Sequence, residues 1–232
     1  MRKNQRNATV TLSGAAVFAA LAAMLTLARA SVPFPLIPYL QIDFAEIPIM
    51  ISFFLFGPVA GVVTEVVHWL FLNWTGSDAP LGPGIKLVAI LSTFCGFWLG
   101  SRFYSGLGFG GRVHRSRGVG LSLMFGLGMV LRVAAMTVVN YAILVYIGPV
   151  FLGVDYMAYA RSTIVATTGW QFNGDAAVLF WVLAFTGIYN VVNLLLASIP
   201  AGLIVSPMTN SFRHITSVET WLMRSLEPRS SR

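Results

Sequence analysis

Charge is scarce in this chain: only 10% of its 232 residues are Asp, Glu, Lys or Arg, against about 25% in an ordinary soluble domain. With 56% hydrophobic residues and a mean hydropathy of +0.77, too little polar surface exists to clothe a water-facing fold. A soluble domain is therefore excluded, and lipid must solvate much of the molecule. Cysteine is almost absent. The single Cys95 lies inside an apolar stretch, so neither an intrachain disulfide framework nor a CxxC metal or redox site is available. A GxxxxGK(S/T) run is also missing, so the chain has no P-loop with which to hydrolyse ATP. The 15 basic and 8 acidic residues leave a net charge of +7, but these charges lie mainly in short stretches between apolar runs. Membrane topology explains that pattern better than nucleic-acid binding does, and no nucleic-acid partner is expected.

A membrane-spanning helix needs roughly 20 apolar residues to cross about 30 Å of hydrocarbon. Candidate spans run from Ala8 to Ala28, Ile47 to Phe56, Pro58 to Trp74, Gly84 to Tyr104, Val119 to Ile147 and Ala176 to Val205. The expected fold is all-α, a compact bundle of six transmembrane helices in one membrane domain over residues 1–232. The second span is too short to cross unaided and meets the third at Gly57-Pro58. Proline removes a backbone donor there and glycine permits a sharp reversal, so a tight hairpin is predicted. Backbone turning within the membrane must be shielded from lipid by protein or face a cavity.

Basic residues set the orientation. Arg2, Lys3 and Arg6 precede the first span, Arg102, Arg112, Arg115 and Arg117 lie between the fourth and fifth, and Arg213, Arg224, Arg229 and Arg232 follow the sixth. Even parity puts all of them on one face, which the positive-inside rule makes cytoplasmic. A multi-pass plasma-membrane protein is expected, with both termini inside: a basic N-terminal tail over about 1–7 and a C-terminal tail over about 207–232. The opposite loops carry Asp43, Glu46, Asp78, Asp155 and Asp175. A cleaved signal peptide ending near Ala28-Arg29-Ala30 fits less well, because the apolar run is too long and its removal would spoil this parity.

Two external connections are rich in aromatics. Ser31 to Glu46 carries Pro33, Pro35 and Pro38 with Phe34, Tyr39 and Phe44, and reads as a proline-stiffened loop able to close on a ligand. Gly148 to Asp175 carries Tyr156, Tyr159, Trp170 and Phe172, and reads either as a lid or as an interfacial aromatic belt.

Few residues suggest catalysis. Glu65-Val-Val-His68 sets a carboxylate and an imidazole one helical turn apart, but a carboxylate-bridged dimetal bundle needs two such helices. The other histidines, His114 and His214, fall on the cytoplasmic side, so no metal site is expected. The glycine run Gly106, Gly108, Gly110, Gly111 lacks the strand and crossover helix of a dinucleotide fingerprint. Asn73-Trp74-Thr75 is a formal glycosylation sequon of little weight. Arg132 and Glu65 each cost about 2.5 to 3.5 kcal/mol near mid-membrane, and a structural ion pair between them is expected.

Toward the external side, Phe44, Glu46, His68, Trp69, Lys86, Asn140 and Tyr141 occur at compatible depths, with Asn190 and Asn193 nearer mid-membrane. Each alone reads as an interhelical hydrogen bond worth about 1 kcal/mol. Together, under aromatic loops, they suggest an outward pocket for an uncharged or weakly charged planar molecule. On the first span Ala16 with Ala20, and Ala19 with Ala23, give small-xxx-small spacings that let another helix approach closely, either within the chain or from a partner.

Several segments carry a family resemblance: Asp43-Phe44-Ala45-Glu46-Ile47-Pro48, then Phe56-Gly57-Pro58-Val59-Ala60-Gly61 followed by Glu65, then Met136-Thr137-Val138-Val139-Asn140-Tyr141 and Tyr189-Asn190. With the alanine-rich first span, they resemble the substrate-binding S components of energy-coupling factor (ECF) vitamin transporters, particularly the riboflavin-specific branch. The resemblance implies an uptake subunit that is not an enzyme and binds a vitamin-like small molecule from outside, riboflavin first. It also implies a membrane coupling subunit and two cytosolic ATPase subunits as partners. ATP would be hydrolysed by those partners, with no cofactor in this chain. Ala16 and Ala20 would meet the coupling subunit, and Asn140 would contact the ligand. Riboflavin binders tend to carry a polar Lys-Asn pair where this chain has His68-Trp69, and a lysine where it has Asn193. Another vitamin or precursor is the alternative, followed by a multispanning enzyme using Glu65 and His68.

Overall fold

The computed structural model describes residues 2–75, 79–106, 117–216 and 220–226. Asp78, Gly108, Gly110, Gly111, Arg112, His114, Arg115, Arg229 and Arg232 lie outside the described residues, as do the side chains of Arg2, Lys3, Arg6, Arg117, Arg213 and His214. The chain is mostly helical. In order come α1 (Arg2–Leu27), β1 (Ser31–Phe34), β2 (Ile37–Asp43), α2 (Glu46–Phe56), α3 (Pro58–Thr75), α4 (Leu81–Gly106), α5 (Arg117–Ala142), a π-helical segment (Ile143–Leu152), α6 (Tyr156–Thr168), α7 (Asp175–Thr216) and α8 (Trp221–Ser225). Among the described residues four helical stretches are long and apolar enough to cross a membrane: Ala8–Leu27, Leu81–Gly106, Gly118–Leu152 and Asp175–Met208.

One expectation needs correction, and two segments gain detail. The fold is not wholly α, because the segment read as a stiff loop pairs β1 with β2 in an antiparallel hairpin, Ser31 opposite Asp43 and Val32 opposite Ile42. Its prolines fit because both strands of a two-stranded sheet are edges, where a missing N–H breaks no second ladder. The Gly148–Asp175 connection contains a helix of its own, α6. The Asp155 side chain accepts from Ala158 N at 2.9 Å at its start, and Gly169, at φ 73, ends it. Lastly, α7 passes through Pro200 and Pro207 to Thr216, so the expected C-terminal tail is partly helix.

Only Gly57 separates α2 from α3. Its φ of 98 favours glycine, and Pro58 begins the next helix, where its missing N–H has no intrahelical partner to lose. α2 is buried along nearly its whole length, from Glu46 to Leu55, because other elements surround it. Phe53 stacks on Phe94 at 4.4 Å and meets Trp221 of α8 edge-on at 4.8 Å. One apolar cluster unites Phe53, Phe54, Phe97, Met124, Leu194 and Leu226, and a second joins Phe34, Ile37 and Ile42 of the hairpin to Ile164, Val182 and Phe185.

The closest helix contact lies between α4 and α5. A Cβ on Gly96 would stand 2.4 Å from Gly128 Cα, and one on Gly100 2.5 Å from Met124 Cα, so these glycines let the two backbones nearly touch. Such contact supplies dispersion where lipid gives helices no hydrophobic drive to associate. Gly96→Ala should lower the melting temperature in detergent by about 3 to 10 °C, the range for an overpacked core in a chain of this size. Gly126→Ala, whose added methyl meets nothing within 4 Å, should leave it nearly unchanged in the same thermal-shift assay.

Candidate functional site

Arg132, near the middle of α5, is 1% exposed and bonded on every side. Its Nη1 and Nη2 donate to Glu46 Oε2 and Oε1 at 2.9 and 3.1 Å, and its Nε donates to Asn190 Oδ1 at 3.1 Å. Asn193, one turn further along α7, donates to Glu46 Oε1 at 2.8 Å, and Asn190 donates to Thr186 O at 2.8 Å. The expected partner of Arg132 was Glu65. Glu46 takes that place because it opens α2, where its carboxylate offers the guanidinium fork two oxygens and also faces the positive end of the helix dipole. Glu46, read as a ligand residue, is thus first of all the counter-ion of Arg132.

Glu65 instead lies beside His68 on the buried face of α3, both with no exposed side-chain surface. His68 Nε2 is 3.0 Å from Thr26 Oγ1 of α1, while its Nδ1 stands 3.8 Å from Glu65 Oε2, beyond hydrogen-bond range. Both Glu65 oxygens, His68 Nδ1, Trp69 Nε1 and Asn193 Oδ1 are buried with no hydrogen-bond partner among the described residues. Glu46, Arg132, Lys86 and Asp43 all act electrostatically on Glu65, so these groups share one neighbourhood. Lys86 pairs with Asp43, tying the first turns of α4 to the end of β2, and Asp43 Oδ1 accepts from Ala45 N at 2.8 Å.

Aromatic contacts tie the hairpin to α7 and α6. The Tyr189 hydroxyl donates to Gln41 O at 2.7 Å and its ring meets Phe34 edge-on at 5.6 Å, anchoring the hairpin to α7. Tyr39 contacts Tyr159 of α6 at 5.5 Å, and Trp170 packs on Trp181 at 4.9 Å. Phe44 is half-buried just before Glu46.

Not every expected residue joins the cluster. Tyr141 is 40% exposed and pairs with Tyr146, because its position on α5 turns it away from α7. Asn140 is half-buried and donates one amide hydrogen to Met136 O of its own helix at 2.7 Å. Ala19 is buried against the bundle with Ala15 and Ala22, and Ala23 is half-buried, whereas Ala16 and Ala20 stand on the outer surface of α1. Of the four alanines expected on one helix-docking stripe, only Ala16 and Ala20 are exposed. A groove of about 560 Å³ between α5 and α7 is lined by Val133, Thr137, Gly187 and Ile188 among others and includes none of the expected ligand residues. Tyr189 and Thr26 join this neighbourhood without having been singled out as candidate ligand residues. Tyr189-Asn190 stands out in the sequence as a pair, whereas Thr26 is one hydroxyl among several on an apolar helix, and Thr186 contributes only its main-chain carbonyl.

The family model for the ECF transporter substrate-specific component matches residues 11–205. The chain belongs to this family. Its members are substrate-binding components of transporters, not enzymes. Among curated proteins, the riboflavin transporter RibU of Staphylococcus aureus (strain TCH60) is 34% identical over 89 residues, covering 38% of this chain and 44% of that protein. The match therefore spans less than half of that relative's length. A solved structure described as the S component of a bacterial ECF transporter shares the fold, with a TM-score of 0.58 at 19% identity over 88% of this chain and 98% of the other. The S component described here is thus a multi-pass membrane protein.

Arg132→Ala should cost about 3 to 5 kcal/mol, the usual penalty for leaving a buried carboxylate unpaired, and should sharply reduce the yield of monodisperse protein. Glu46→Gln in that background should recover part of the yield on size-exclusion chromatography, and Glu65→Gln should recover none.

Proposed function

We propose that this S component captures riboflavin, or a close chemical relative, from the extracytoplasmic side and holds it beneath the β1–β2 hairpin. The observation that carries this reading is the convergence of Glu46, Arg132, Asn190 and Asn193 at one buried point among aromatic elements from β1, β2, α6 and α7. Polar groups held in an apolar frame fix the orientation of a ligand that the frame buries. The match to a riboflavin transporter supports the choice of vitamin. Asn193 stands where a lysine would be expected, but Arg132 brings a cation to the same Glu46 carboxylate. Phe44, His68, Trp69, Lys86 and Asn140 belong to the wider lining in this reading. Asn140 can keep its bond to Met136 O and still offer its second amide hydrogen and its Oδ1.

The bundle crosses the membrane six times, through α1, α2, α3, α4, α5 and α7, with the reversal at Gly57 inside it and both termini cytoplasmic. The basic residues of the tails and of the connection after α4 support that orientation. Release inward is driven by a coupling subunit and two ATPases. The exposed Ala16–Ala20 stripe suits the coupling subunit, since small side chains let a foreign helix approach closely.

Protein purified in detergent without added vitamin should carry the visible absorption and mass of a flavin. Folded protein that binds no member of a vitamin panel on titration would overturn the assignment. Ala16→Trp with Ala20→Trp should leave binding intact while abolishing uptake in cells that supply the partners, and normal uptake would remove the docking face.

A further inference from the structure

Along the buried face of α3 runs a row of polar atoms that the network around Arg132 does not use. Glu65 Oε1 and Oε2, His68 Nδ1 and Trp69 Nε1 have no hydrogen-bond partner among the described residues, and Asn193 Oδ1 across on α7 shares that condition. Glu65 and His68 are wholly buried, and a carboxylate in that position is costly unless something donates to it. The His68 ring is held from behind by Thr26, which leaves Nδ1 as its free edge. Glu46, Arg132 and Lys86 lie within electrostatic reach of Glu65, so the row adjoins the proposed vitamin site and does not form a separate one.

The unmet atoms are of mixed kind. The Glu65 and Asn193 oxygens only accept when Glu65 is ionised, the Trp69 indole N–H only donates, and His68 Nδ1 does either according to its tautomer. An ammonium or amidinium group would satisfy the carboxylate and leave the indole unpaired. An anionic group would do the reverse and repel Glu65. Hydroxyl groups both donate and accept, and adjacent hydroxyls can give two hydrogens to one carboxylate while receiving one from an indole.

We propose that Glu65, His68 and Trp69 form the subsite for a polyhydroxylated chain on the ligand, so that the α3 face recognises the chain of riboflavin while the Glu46–Arg132 region holds its ring. This rests on the flavin reading above, and the probes are riboflavin and lumiflavin, which has the same ring with a methyl group in place of the hydroxylated chain. Wild-type protein should bind riboflavin at least about 30-fold more tightly than lumiflavin, the scale of one or two hydrogen bonds to a charged group. Glu65→Gln should lose most of that preference by weakening riboflavin alone, and Trp69→Phe, which removes only the indole N–H, should lose about five- to tenfold of it. Lumiflavin binding by each variant reports that the fold and the ring site persist. Equal weakening of both flavins, or an unchanged preference in Glu65→Gln, would overturn the subsite while leaving the flavin assignment standing. Failure of wild-type protein to bind either flavin would overturn both. Tight binding of a cationic vitamin that Glu65→Gln abolishes would also overturn the polyol assignment.

Discussion

A guanidinium and a carboxylate held together where water cannot reach them set the terms for the rest of this molecule. Arg132 and Glu46 cannot separate without leaving a charge in a low-dielectric interior, so α5 and the start of α2 are bound to one depth. Asn190 and Asn193 complete the coordination and bring α7 to the same point. Glu46 is also the residue at which the β1–β2 hairpin passes into α2. A buried charge pair thereby fixes where the hairpin gives way to α2, and Tyr189 and Lys86 each hold that hairpin to a helix.

This arrangement gives the S component a rigid lower half and a layered upper half. Below, phenylalanines from α2 and α4 pack against α8, and the glycines of α4 lock it to α5. Above, the hairpin and α6 share a buried apolar cluster that includes Ile37, Ile42 and Ile164, with a Tyr39–Tyr159 ring contact and a hydrogen bond from Thr167 Oγ1 to Leu36 O at 3.2 Å beside it. Spare hydrogen-bonding capacity lies between the halves on α3, where polar side chains are buried without being consumed by the fold.

Much of the helical architecture was legible in the residues. Apolar runs and the Gly57-Pro58 junction locate the helices, since their lengths follow from the thickness of hydrocarbon and their breaks from backbone chemistry. The family was legible as well, because the segments around Glu46, Gly57-Pro58 and Tyr189-Asn190 resemble it by sequence alone, and the family model matches residues 11–205. The hairpin was not, because three prolines in sixteen residues argue against strands unless both strands are edges. The Gly96–Gly100 contact was hidden too, since its meaning depends on which face of α4 meets α5.

What the sequence by itself determined is that the chain lives in a membrane, where its long apolar helices fall, and that it carries a few costly polar residues needing partners. Those conclusions follow from composition and one-dimensional spacing. Which partner each residue takes was decided only by the tertiary structure. Depth along the spans favours Glu65 as the partner of Arg132, yet Glu46 takes the place. Helix rotation and the entry of the hairpin into α2 aim Glu46 at the guanidinium and turn Glu65 toward His68, and rotation about a helix axis is a property of packing against neighbours.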